Sequence, residues 1–178
     1  MKKITLLILL SFGFIQAQEK MITKSGKITF EASVPSFEEV KATNESSSCV
    51  LNTATGEIAA LALMKGFRFK IALMEEHFNE NYVESDKYPK ATFKGNIEKF
   101  NLSILDKTAK DFIIKGKLEL HGKSKDVNIP AKIKKTEKGI EIKANFSVNA
   151  DDFAIEIPSV VSKKVSKKVN VHLDFILK

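Results

Sequence analysis

Three histidines, one cysteine and a run of paired lysines are the residues of this chain best suited to chemistry. His77 stands among Glu75, Glu76 and Glu80, a carboxylate-rich setting that a divalent metal would need to share with further converging ligands. His121 and His172 fall on the polar parity of alternating runs, so both are expected at the surface or in turns, and no metal site is predicted. Cys49 has no partner in the sequence with which to close a disulfide, and it is expected as a small, half-buried strand residue. Gly-x-Ser-x-Gly, Gly-x-Gly-x-x-Gly and His-Glu-x-x-His are all absent, so neither a nucleophile elbow, a dinucleotide loop nor a zinc helix is present and an enzyme is not expected. The remaining candidates are Lys163-Lys164 and Lys167-Lys168. If the parity of the run that follows extends backwards, Lys163 and Lys167 point inward with Val169 and Val171, where two ammonium groups would meet an anionic headgroup, while Lys164 and Lys168 face solvent.

What must position these residues is a set of strands. Phe112, Ile114, Gly116, Leu118 and Leu120 alternate with Lys115, Lys117, Glu119 and His121. After a turn placed around Gly122-Lys123-Ser124-Lys125, the runs resume with Val127, Ile129, Ala131 and Ile133, which describes a β-hairpin with one dry face. The same period of two returns in Ile28, Phe30, Ala32, Val34; in Phe67, Phe69, Ile71, Leu73; in Ile140, Ile142, Ala144, Phe146, Val148; and in Val169, Val171, Leu173, Phe175, Leu177. Less regular strands near 37–50, 56–64 and 91–104 bring the number to eight or nine, and the short turns between them make the sheet antiparallel. One helix is predicted over Glu75–Lys87, placing Phe78 and Tyr82 on one face. Pro89 then restarts a strand at Ala91. Ile58 to Met64 is apolar on both parities, so its outer face needs a cover, either the helix or a second subunit in a homodimer.

Composition narrows the partners. Lys2-Lys3 followed by the apolar run Ile4 to Ile15 and the small Ala17 reads as a signal peptide over 1–17, leaving 18–178 as a single domain of a periplasmic or secreted protein with no transmembrane segment. A formal charge of +7 with acidic residues interspersed, a single arginine and no tryptophan argues against a nucleic-acid groove. Eight long strands closed into a barrel leave room for one slim ligand, whereas a sandwich would leave none. An outer-membrane barrel would show aromatic girdles that two tyrosines cannot supply. The inward candidates for a ligand tunnel are Phe69, Ile71, Leu73, Phe78, Tyr82, Phe93, Ile97, Phe112, Ile114, Leu118, Leu120, Ile140, Ile142, Phe146, Val148, Val171, Leu173 and Phe175.

The stretch Gly116-x-Leu118-x-Leu120-His121-Gly122-x-x-Lys125-x-Val127-x-Ile129-Pro130, together with Tyr88-Pro89-x-Ala91-x-Phe93-x-Gly95, resembles the YceI-like family of exported lipid- and polyisoprenoid-binding proteins. Phe67-x-Phe69-x-Ile71, Phe146-x-Val148 and Asp152-Phe153-x-Ile155 add to the likeness, which covers the whole segment after the leader; Ala154 stands where the family often has glycine, and Val40 to Met64 follows it less closely. The resemblance implies an extended, eight-stranded antiparallel lipocalin-like β-barrel with a short helix over one end. It implies an amphiphilic lipid such as an isoprenoid quinone, a polyprenyl or a fatty acyl chain in the lumen, and no shared catalytic residues. The competing reading is a structural or stress-response module whose barrel is filled by its own side chains and which pairs through the outer face near Leu61 and Leu63.

Overall fold

A computed structural model describes residues 20–178, so the expected cleavage after Ala17 lies outside the described residues. The strands are β1 (Lys20–Ser33), β2 (Lys41–Asn52), β3 (Glu57–Leu63), β4 (Arg68–Phe69), β5 (Lys90–Ile97), β6 (Lys110–Leu120), β7 (Lys123–Thr136), β8 (Gly139–Asn149) and β9 (Val165–Leu177). Antiparallel ladders run β1-β9-β8-β7-β6-β5-β3-β2, and β2 pairs again with β1, which closes an eight-stranded barrel. Closure follows from the alternation: each strand has a single apolar face, and only a curved, closed sheet turns all of those faces towards one another and leaves no free edge. β4 is a two-residue ladder on the end of β2.

Between β4 and β5 the chain departs from the sequence-based expectation. The strand predicted through Leu73 stops at Phe69, because the Glu75 carboxylate reaches back to accept from the Phe69 N–H at 3.1 Å and from the Arg68 guanidinium at 2.7 Å. That clamp reverses the chain into helix α1 (Ala72–His77), which continues as a wider π turn over Phe78–Tyr82. The helical segment therefore begins earlier and ends sooner than Glu75–Lys87. It packs on β4 at one end of the barrel, so the outer face of β3 is left uncovered and Leu63 is 56% exposed. Similarly, residues 98–104 are not strand; Asn101 accepts from the Ser103 N–H and caps a short turn over Leu102–Ile104.

The β6–β7 hairpin is tighter than expected. Leu120 pairs with Lys123, so the turn is the two residues His121 and Gly122, both with positive φ (50° and 69°), and Lys123 to Lys125 belong to the strand. Such a turn matches the twist of the two strands and needs left-handed backbone at both positions. At Gly122 a second constraint acts, since a Cβ there would lie 2.7 Å from the Tyr88 ring.

The candidate ligand-binding lumen

Inward parity places a side chain inside the barrel without saying how far along the axis it sits, and the two ends differ. Where β1 and β6 begin and β2 and β5 finish, Leu51, Ile97, Phe112, Ile133, Ile140 and Leu177 are buried against one another. Phe100, Leu102 and Leu105, from the connection between β5 and β6, pack into the same cluster. Ile97, Phe112 and Ile140, three of the predicted tunnel residues, belong to this plug and do not line the cavity.

Towards the other end the barrel is hollow. A cavity of about 520 Å³ is bounded by Phe69, Phe78, Tyr82, Phe93, Ile114, Leu118, Leu120, Ile142, Phe146, Val148, Val171, Leu173 and Phe175 from among the predicted residues. Its volume falls in the range of about 300–1,000 Å³ usual for small-molecule sites. Ile28, Phe30 and Ala32 of β1, Ala60 of β3 and Ile129 of β7 complete the wall. The alternation of Ile28, Phe30, Ala32 and Ile129 was visible in the sequence, whereas Ala60 stands in a run apolar on both parities, where the period does not single it out. Phe67 of the alternating run before α1 also lines it, as do Met74, Phe153, Ile155 and Ile157, which come from the helical segment and the β8–β9 connection, where no period of two runs. Leu73 turns outward on α1 and is 58% exposed, and Ile71, at the start of that helix, does not reach the cavity. Around the entrance the aromatic rings of Phe30, Phe69 and Phe78 pack with centroids 5.2–5.7 Å apart.

Glu38, His77, Lys164 and Ser166 are among the polar residues of the lining, and all four come from segments at the open end. The lysine expectation is inverted: Lys164 lines the mouth, whereas Lys163 is exposed outside it and Lys167 pairs with Asp151 at 2.9 Å. Strand parity cannot be run back through this region because Lys164 N–H closes a turn onto the Val161 carbonyl. Beyond it, the Ser166 hydroxyl bonds to the backbone of Lys168 and bulges the start of β9. Pairing with β1 consequently jumps from Glu31–Asn170 to Ser33–Val165.

His121 holds this end together. Expected at the surface or in a turn, it stands in the turn but not at the surface: its side chain is only 10% exposed, lying edge-on to Tyr88 with centroids 4.5 Å apart. Nδ1 is 3.0 Å from the Phe153 carbonyl and Nε2 is 2.9 Å from the Glu84 carboxylate. A carbonyl only accepts, so Nδ1 donates to it, and the Glu84 carboxylate faces Nε2 on the other side of the ring. Glu84, His121 and Ala154 all have positive φ, so three strained backbone sites converge where the helical segment, the β6–β7 turn and the β8–β9 connection meet. The three motifs Tyr88-Pro89, His121-Gly122 and Asp152-Phe153 thus form one knot.

The knot also seals a split in the wall. Pairing between β7 and β8 runs from Thr136–Gly139 to Ala131–Ala144 and stops beside Pro130, which has no N–H to continue it. Ala150–Phe153 packs against β7, β8 and β9 over the gap, with Phe153 1% exposed and Lys125 bound to Asp152 at 3.0 Å.

Elsewhere, Cys49 is fully buried and free, and burial pushes its thiol up to about 12. Among the described residues no three His, Cys, Asp or Glu side chains gather as metal ligands, and no helix is long and apolar enough to cross a membrane.

A family model described as YceI-like domain matches residues 12–177. No curated protein sequence gives a significant match. Among solved structures, a polyisoprenoid binding domain from Saccharophagus degradans implicated in plant cell wall breakdown is 15% identical, covers 87% of this chain and 95% of its own, and superposes with a TM-score of 0.74. Burkholderia cenocepacia BcnA is 14% identical over 84% of this chain and 94% of its own, with a TM-score of 0.69. A Campylobacter jejuni YceI protein is 18% identical over 82% and 88%, with a TM-score of 0.64. At such identities the likeness is one of fold.

Proposed function

The chain belongs to the YceI-like domain family, and from that membership and the half-hollow barrel we propose that it binds an amphiphilic lipid, tail first, in the open half of its lumen. The observation that carries this reading is the wall itself: aliphatic and aromatic side chains from β1, β3, β5, β6, β8 and β9 face an unfilled space, with polar groups collected at one end. Burial of a methylene contributes about 0.8 kcal/mol, so a tail of ten carbons can supply most of the affinity without specific polar contacts. The Saccharophagus domain is described as binding a polyisoprenoid, which supports an isoprenoid or a similar long-chain molecule as the class. Lys164 is the cation placed to meet an anionic headgroup. The leader-like first seventeen residues support export, and the reading is of a carrier or sequestering protein outside the cytoplasm, acting without catalysis. The filled-barrel alternative describes the plugged half alone.

The test is to purify the protein from its native host, extract it with organic solvent and examine the extract by mass spectrometry. A polyprenyl, quinone or acyl species near one per chain is expected. A clean extract, together with failure of the delipidated protein to bind any long-chain amphiphile, contradicts the proposal.

A further inference from the structure

The cavity has a floor. Ile114, Ile129, Ile142 and Phe175 belong both to the cavity wall and to the packed plug, so they mark the level at which the hollow stops. They form a stepped floor: Ile114 pairs with Ile129 and Ile142 pairs with Phe175, while Ile142 faces Ile133 across β7, so the two pairs are staggered along the barrel. Phe175 is held flat on bare backbone: a Cβ at Gly26 would stand 2.4 Å from its ring. One inward step further along each of these strands stand Phe112, Ala131, Ile140 and Leu177, all buried, and a tail arriving from the open end meets close-packed side chains with nowhere to continue.

We propose that this floor acts as a ruler, making the lumen selective for a single tail of about 12–16 carbons. The inference rests on the amphiphile reading above and adds the length. Three walls give the same depth: Ile142 to Val148 on β8, Ile114 to Leu120 on β6, and Phe175 to Val169 on β9. Each is about six residues, roughly 20 Å of strand, and a barrel tilt of about 40° leaves about 15 Å along the axis. An all-trans chain with bonds of ~1.5 Å advances about 1.25 Å per carbon, so about twelve carbons reach Val148. One more layer of side chains, about 5 Å, reaches the rim at Lys164 and Glu38 and admits about four more. A longer chain must fold back or leave its remainder in the mouth, where added carbons are no longer removed from water.

The experiment is a series of saturated fatty acids from eight to twenty-two carbons, each titrated by displacement of a fluorescent fatty acid from the delipidated full-length protein. Affinity is expected to rise about fourfold per methylene up to a break between 12 and 16 carbons and to stay flat beyond it. A rise that continues unbroken to 22 carbons overturns the ruler and leaves the amphiphile reading standing. No binding at any length overturns both. Ile129→Ala, which removes floor without touching the rim, is expected to move the break about two carbons longer; a folded variant with an unmoved break counts against the floor. The wild-type series decides the question if that variant does not fold.

Discussion

At the blind end of the barrel Leu51, Ile133 and Leu177 are fully buried, whereas at the open end Phe146, Val171 and Leu173, on the same inward parity, are only partly buried around a hollow. The strands are shared, so the difference lies in what the connections contribute. The link after β5 sends Phe100, Leu102 and Leu105 into the barrel. At the other end residues 34–40, the helical segment and residues 150–164 rim the opening, and the β7–β8 ladder comes apart. Stability is therefore concentrated at one end and binding at the other.

The sharpest way to break that separation is Ile133→Ala. It should cost about 2–5 kcal/mol in urea unfolding while tail affinity changes less than twofold, because Ile133 lies below the floor. A parallel loss of affinity would mean that the two halves are not independent.

Cys49 reports on the packed half through pH. Its thiol is held up at about 12 by burial against an ordinary 9.0, so the folded state keeps a proton that the unfolded chain releases. Stability from this source is intact below the ordinary value and falls as pH climbs towards 12, by about 4 kcal/mol. Comparing urea midpoints of wild type and Cys49→Val across pH 8–11 should show the wild type losing ground as pH rises. Equal slopes would refute it.

At the open end, His121→Ala should cost about 1–3 kcal/mol, since the Phe153 carbonyl loses its donor and Glu84 its partner. Hydrogen exchange should quicken around Glu84–Tyr88 and Ala154 and leave Ile133 and Leu177 protected. Uniform acceleration would show the knot to be part of the global fold. Val171→Asp, which places a carboxylate on the hollow wall, should lower tail affinity more than tenfold. Leu73→Ser is the control on the outward side of α1, expected within about 0.5 kcal/mol of wild type in stability and unchanged in binding.

The parts of this architecture that could be read in the sequence are those governed by a period of two. Ile142, Phe146, Val171 and Phe175 were placed inward by alternation alone, and they line the cavity. Depth along the axis leaves no such trace, which is why Ile97, Phe112 and Ile140 went to the plug. Where the backbone leaves the strand, parity cannot be extended: the Glu75 clamp turned Leu73 outward, and the bulge at Ser166 exchanged Lys164 for Lys163 and Lys167 at the mouth. Polar parity points His121 to the surface or a turn; it stands in the turn, but its burial depends on Glu84 and Phe153, which are 37 and 32 residues away and invisible to local pattern.

The most direct test of the half-hollow barrel is a methyl-resolved NMR titration of the delipidated protein with a twelve-carbon fatty acid. The account predicts shifts at Ile114, Leu118, Ile129, Ile142 and Val171, with Leu51, Ile133 and Leu177 unmoved. Shifts confined to the outer-face methyls of Leu63, or equal shifts in the plug and the hollow, would contradict it.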